Sequence, residues 1–369
     1  MRSTLFISAI CGLAAAAPAP APQQIDVVGA ANDLVPLSVL GPDATAVPGA
    51  KPTYNAVAAA KSDAEDVPSD PITSNTSGKR GIQKRDACST QPGGNGPIPG
   101  DGSVEAYLAG NSILAQTAQA AGTPRGYVKS FTNLQGSTQQ AGYLTYKNLD
   151  GGAYNVDACA AFCDSVRYCL GFNIYYERDP SVDPGQACPN PAPFTNVKCS
   201  LYGYPVAAGS ATNTGQWRNQ FHVVIAGSNG YSKMAPCPYP GALTNFTGPS
   251  DYLHGAINAP LDNGYDTYLG MRLFNDGPYD PSRCAAVCQA TTAYDRATAG
   301  PDGKYKPCNF FNSYVLLKND VPQGTYCSFY TRSWDSSYAV NTGYWYGDDT
   351  YKVVGSFTYE LTTLDDGQI

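Results

Sequence analysis

Two stretches of this chain carry the same cysteine pattern in the same order, and that duplication constrains the fold more than any other feature. Cys159-Ala160-Ala161-Phe162-Cys163 returns as Cys284-Ala285-Ala286-Val287-Cys288. Upstream, Tyr143-Leu144 returns as Tyr268-Leu269, and Tyr154 precedes Cys159 by the same interval as Tyr279 precedes Cys284. Downstream, Cys169-Leu170-Gly171-Phe172-Asn173 corresponds to Cys308-Asn309-Phe310-Phe311-Asn312, and Cys199-Ser200-Leu201-Tyr202 to Cys327-Ser328-Phe329-Tyr330. Asn213-Thr214-Gly215-Gln216-Trp217 corresponds to Asn341-Thr342-Gly343-Tyr344-Trp345. Offsets held over whole segments mark repeated structural units. The sequence therefore predicts two homologous modules, near 140–235 and 265–362.

The remainder of the 369 residues divides around these modules. Arg2 followed by the apolar run Leu5 to Ala17 reads as a secretory signal over 1–17. That run stops at Pro18, short of the roughly 20 apolar residues a membrane helix needs. Residues 18–85 are rich in Ala, Pro, Asp and Ser with almost no aromatics, a composition expected to stay disordered. They end in Lys79-Arg80 and Lys84-Arg85, which look like sites for a kexin-type processing protease cutting after Arg80 and Arg85. The stretch is then a propeptide, or an exposed linker that carries basic pairs. Residues 86–139 form an N-terminal extension, with a helix expected over 104–120 and a strand over 127–134. A linker segment over 236–264 separates the modules, and 363–369 is a tail.

Within each module the paired cysteines lie four apart, so on a helix both face one way. They can reach two strands beneath, those carrying Cys169 and Cys199. Tyr outnumbers Phe 27 to 12, which suits strands whose aromatics keep a polar end near water. The fold class expected is α+β. A helix fastened to a sheet by cysteines resembles the PAN/apple domain family. The resemblance implies Cys159–Cys199 and Cys163–Cys169 in the first module, and Cys284–Cys327 and Cys288–Cys308 in the second. It implies a mostly antiparallel sheet crossed by one disulfide-pinned helix in each. The chain also looks like a group of secreted fungal proteins labelled carbohydrate-binding-like, with Gly171-Phe172-Asn173-Ile174-Tyr175-Tyr176-Glu177-Arg178-Asp179-Pro180 as the closest match. Of the remaining cysteines after the signal, Cys88, Cys188 and Cys237, we expect Cys88–Cys237 to pair because both open a segment ahead of a module.

The net charge of −7 and the absence of a Lys/Arg cluster beyond the basic pairs argue against nucleic acid and anionic membrane as partners. No cofactor or metal is indicated. Neither module supplies a histidine at ligand spacing, and secretion favours disulfides over zinc. Catalytic motifs are missing: there is no Gly-x-Ser-x-Gly, no His-Glu-x-x-His and no phosphate loop. His222 reads as one face of a half-buried strand. Glu177 and Asp179 lie in a run absent from the second module; it reads as a charged turn closing a strand, or as a site unique to the first module. A sugar site needs exposed rings that stack on C–H faces. Tyr175, Tyr176, Trp334, Tyr344 and Tyr346 are the candidates, whereas Trp217 and Trp345 repeat between modules and are expected in the core. Asn245-Phe246-Thr247 is a glycosylation acceptor, as is Asn75-Thr76-Ser77 in the propeptide. The expected function is an extracellular, non-catalytic binding protein for carbohydrate or a protein surface. A structural or cell-wall-associated protein and an enzyme of unrecognised type are the alternatives.

Overall fold

The structure, a computed structural model, describes residues 25–34, 40–42, 48–68, 87–234 and 240–367. In chain order its elements are α1 (Val27–Asp33), α2 (Ala56–Asp66), α3 (Val104–Leu108), α4 (Ile113–Ala120), β1 (Tyr127–Leu134), β2 (Tyr143–Asn148), α5 (Val156–Ser165), β3 (Gly171–Pro180), β4 (Pro193–Tyr202), β5 (Gly215–Arg218) and β6 (Phe221–Lys233). There follow β7 (Phe246–Thr247), β8 (Tyr268–Phe274), α6 (Pro281–Ala297), β9 (Phe310–Lys318), β10 (Val321–Tyr330), β11 (Gly343–Tyr346) and β12 (Asp349–Leu361). The protein is α+β, with two antiparallel sheets of the same order. The first runs β1-β6-β3-β4-β2 with β5 on β6. The second runs β11-β12-β9-β10-β8 with β7 on β12.

Each module is closed by one helix and two disulfides. Asn155 caps α5 by accepting from the Ala158 N–H, and Asp280 caps α6 with Pro281 in its first turn, both of which start a helix cleanly. Cys159 is bonded to Cys199 and Cys163 to Cys169; in the second copy Cys284 is bonded to Cys327 and Cys288 to Cys308. All eight sulfurs are buried. In the first module the helix packs on a core of Phe172, Ile174, Tyr176, Val197 and Leu201. The repeated tyrosine anchors the approach to each helix: Tyr154 donates to the Ile174 carbonyl at 2.9 Å, and Tyr279 to that of Ser313 at 3.4 Å.

A buried asparagine shows how far the duplication extends. Asn173 donates to Ser228 Oγ and the Asn229 carbonyl, and accepts from the Thr138 N–H at 2.8 Å. Asn312 makes the same set with Ser356 Oγ, the Phe357 carbonyl and the Ile257 N–H at 2.9 Å. A buried amide must satisfy donors and acceptor alike, so the loops carrying Thr138 and Ile257 belong to their modules. The segments before the repeat are thus structural parts of it: β1 is an edge strand of the first sheet, and the 236–264 stretch supplies β7 together with Leu253, Ile257 and Ala259 to the second core.

Several expectations need correction. The helix over 104–120 is two, α3 and α4, each capped by its own serine, Ser103 and Ser112, with Gly110 in the break. Cys88 is bonded to Cys188, not to Cys237. The Cys88 N–H donates to the Asp183 carbonyl at 2.7 Å and the Asp183 N–H to that of Ser89 at 2.8 Å. This ladder zips the start of the extension to the segment after β3 and brings Cys88 beside the following loop. Cys237 lies outside the described residues, as do the signal segment, Asn75, Arg80 and Arg85. The described parts of 18–85 are folded, contrary to the expected disorder. Ile25, Val27 and Ala30 are buried among residues of the second module, and Val67 in a core that draws on both modules. Composition judges whether a segment can form a core of its own and is blind to a core lent by a neighbour.

Candidate functional site

Every sheet has one face under its disulfide-pinned helix and an opposite face free of that helix. Alternation along a strand sends Tyr175, Glu177 and Asp179 of β3 away from α5. Their cross-strand neighbours on β4 are Lys198 opposite Tyr175 and Asn196 opposite Glu177. All five are buried. Lys198 Nζ donates to Glu177 and lies 3.9 Å from Asp179, while Asn196 donates to Asp179 Oδ2 at 2.8 Å. Two carboxylates thus share one ammonium out of water. Burial, and then the neighbouring Asp179 charge, push the Glu177 carboxyl up to about 8. Burial works against the Lys198 ammonium, but the Glu177 and Asp179 charges outweigh it and hold it well above its usual range. The Glu177-Arg178-Asp179-Pro180 run is therefore the second half of β3, not a turn. Arg178, on the other face, donates to the carbonyls of Gly102 and His222 at 2.9 and 2.8 Å and lies over the Phe221 ring.

The space above this triad is small. A cavity of about 60 Å³, with Asn148, Asn196, Gln216 and Arg218 on its walls, is far below the roughly 300–1,000 Å³ of ligand sites. It cannot hold a sugar ring. Glu177 and Asp179, named from the sequence as ligand residues, form an internal ion cluster instead. Tyr175 and Tyr176 are also buried, the first with Ser200 and the second against the Tyr154 ring. Trp334 is buried too, donating from Nε1 to Thr267 Oγ1 at 3.1 Å and meeting Tyr338 edge-on.

Two of the exposed rings are ones the sequence places in the core. Trp217 is 66% exposed and Trp345 72% exposed, which corrects that expectation. Each lies on a short hairpin at the sheet edge, β5–β6 and β11–β12. The pairs Arg218–Phe221 and Tyr346–Asp349 leave two-residue turns whose first residues, Asn219 and Gly347, have φ of 56° and 60°. Such turns suit Asn and Gly and match strand twist. Trp217 stands across from His222, and the two rings stack at 4.3 Å and 7°. Trp345 stands across from Thr350 with Tyr346, 53% exposed, beside it. Tyr344 is half-buried, stacked on Tyr351 at 6.0 Å. Of the predicted aromatic set only Tyr346 is exposed. The signal that locates the tryptophans is the two-residue turn one residue beyond each: a side chain on a four-residue edge strand has little to pack against. Asn245 is exposed in its turn, as a glycosylation acceptor requires.

Among the described residues, no cluster of three His, Cys, Asp or Glu could hold a metal, and no helix is long and apolar enough to cross a membrane. Compared with known proteins, the chain matches no family model, no curated protein and no solved structure.

Proposed function

We propose that this is a secreted, non-catalytic binding protein built from two PAN/apple-like modules, each presenting a tryptophan hairpin to the apolar face of a carbohydrate. The single observation that carries this reading is the duplication of an exposed tryptophan. A ring two-thirds or more open to water contributes little to folding, yet the same residue stands at the same place in both modules. Flat aromatic faces stack on sugar C–H surfaces, and two linked sites on one chain gain avidity on a repeating polymer. The disulfides suit an oxidising, extracellular compartment. Catalysis by Glu177 and Asp179 is disfavoured because both are committed to Lys198 in a cavity too small for substrate.

Sedimentation with insoluble glucan, chitin and cellulose tests the reading. At least one polymer should deplete the protein from solution. Trp217→Ala and Trp345→Ala should each weaken retention several-fold, and the double variant should abolish it with an unchanged circular dichroism spectrum. Retention on none of the polymers would favour the structural, cell-wall-associated reading. Retention indifferent to both tryptophans would reject the hairpins as the site.

A further inference from the structure

The segment upstream of the basic pairs lies across both modules as an added layer. Ile25, with Val27 and Ala30 of α1, is buried in the face of the second sheet opposite α6, among Leu273, Tyr314, Leu316, Tyr326 and Val353. The Tyr344 hydroxyl donates to the Ile25 carbonyl. The chain then crosses the edge strand β2, where the Gly49 N–H donates to the Tyr146 carbonyl and Thr145 to that of Ala50. α2 finishes on α6. Tyr54 donates to Asp280 Oδ2 at 2.6 Å, and Arg283, almost wholly buried, donates to both oxygens of Asp63 at 2.6 and 2.8 Å. α2 also forms one wall of a cavity of about 680 Å³, whose other walls include α6 and Arg167-Tyr168 of the first module.

Only non-covalent contacts hold this layer, because the sequence has no cysteine between Cys11 and Cys88. In the intact chain the tether keeps the segment at high effective concentration, so modest contacts suffice. A cut at Lys79-Arg80 or Lys84-Arg85 removes the tether while leaving every contact in place. Its partner face is rich in tyrosine and aliphatic side chains, and the Tyr314 and Tyr326 rings stack at 4.8 Å. We propose that α1, α2 and the crossing at 48–50 form a removable cover whose occupied site is the face of the second sheet opposite α6, held shut in the uncut chain and opened when the basic pairs are cleaved. This inference does not depend on the carbohydrate reading.

The test uses the full-length secreted chain, cut in vitro with a dibasic-specific protease, diluted to nanomolar concentration and followed by native mass spectrometry and hydrogen exchange. Before cutting, amides of β8, β10 and the first turn of α6 should be protected. After cutting, the N-terminal fragment should separate, and exchange in those elements should rise at least tenfold while β3, β4 and the Phe311 region of β9 stay protected. Asp63→Arg in the uncut chain should raise exchange in α6 by a smaller factor. Four outcomes would overturn the proposal. The chain resists the protease at both pairs; the fragment stays bound at nanomolar concentration; it leaves without altering exchange in the second module; or its departure unfolds that module throughout, making the segment part of the core.

Discussion

The two sheet faces turned away from the disulfide-pinned helices occupy equivalent positions and solve the same problem in opposite ways. Where the first module has Glu177, the second has Leu316, and the counterparts of Lys198, Tyr146 and Asn148 are Tyr326, Met271 and Leu273. The tyrosines Tyr175 and Tyr314 are shared and both buried. In the first copy the face satisfies itself with an internal ion cluster roofed by the extension, whose Gly94 N–H donates to Asn196 Oδ1 at 2.9 Å. In the second copy the face is apolar and is covered by α1. The duplicated scaffold, helix plus disulfides plus buried asparagine, is thus separable from what the opposite face does. That face is where the modules have diverged.

The largest expected break in this comparison comes from removing the shared cation. Lys198→Met leaves Glu177 and Asp179 buried without a countercharge and should cost about 3–5 kcal/mol, read as a drop in urea midpoint. Tyr326→Phe, at the equivalent place in the second module, removes one neutral hydroxyl that neighbours Tyr268 and should change stability by only about 1 kcal/mol. Equal losses at the two positions would erase the distinction between a charged and an apolar face.

A second prediction concerns pH. Glu177 titrates near 8 in the folded protein, against about 4.3 in an unfolded chain. The folded state therefore binds more protons between those values, so this contribution to stability is fully present below about 4.3 and is lost as pH rises toward 8. Glu177→Gln should flatten the thermal midpoint over pH 5–8, whereas Leu316→Ala should lower it by the same amount at every pH. A wild-type midpoint that rises steadily with pH over that range, with no change of slope in Glu177→Gln, would contradict the buried cluster.

The smallest effect belongs to the exposed rings. Trp217→Ala should alter stability by no more than about 0.5 kcal/mol, while Trp334→Ala, which empties a buried site, should cost about 3–5 kcal/mol. Thermal denaturation of the two variants side by side separates a presented tryptophan from a packed one.

Repetition made the architecture legible. Cysteines one helical turn apart, followed by aromatic strands, are visible in sequence because spacing and alternation are local properties. Orientation is not local. Tyr175 and Trp334 read as surface rings because they lie near polar residues or turns, yet strands from distant sequence enclose them. Trp217 and Trp345 read as core because recurrence was equated with packing, and a hairpin at a sheet edge breaks that equation. The Cys88–Cys188 bond depends on a ladder between residues far apart in the chain, which no spacing announces. The N-terminal layer was missed for a related reason: α2 has little apolar surface of its own, and its seating rests on Asp63 meeting a buried arginine more than two hundred residues away.

The most direct test of the duplicated-module account is disulfide mapping of the purified protein, digested at acidic pH without reductant so that bonds cannot exchange. The account predicts peptides joined as Cys159–Cys199, Cys163–Cys169, Cys284–Cys327 and Cys288–Cys308, with Cys88 joined to Cys188. A bond linking one module to the other, or Cys88 joined to Cys237, would contradict it.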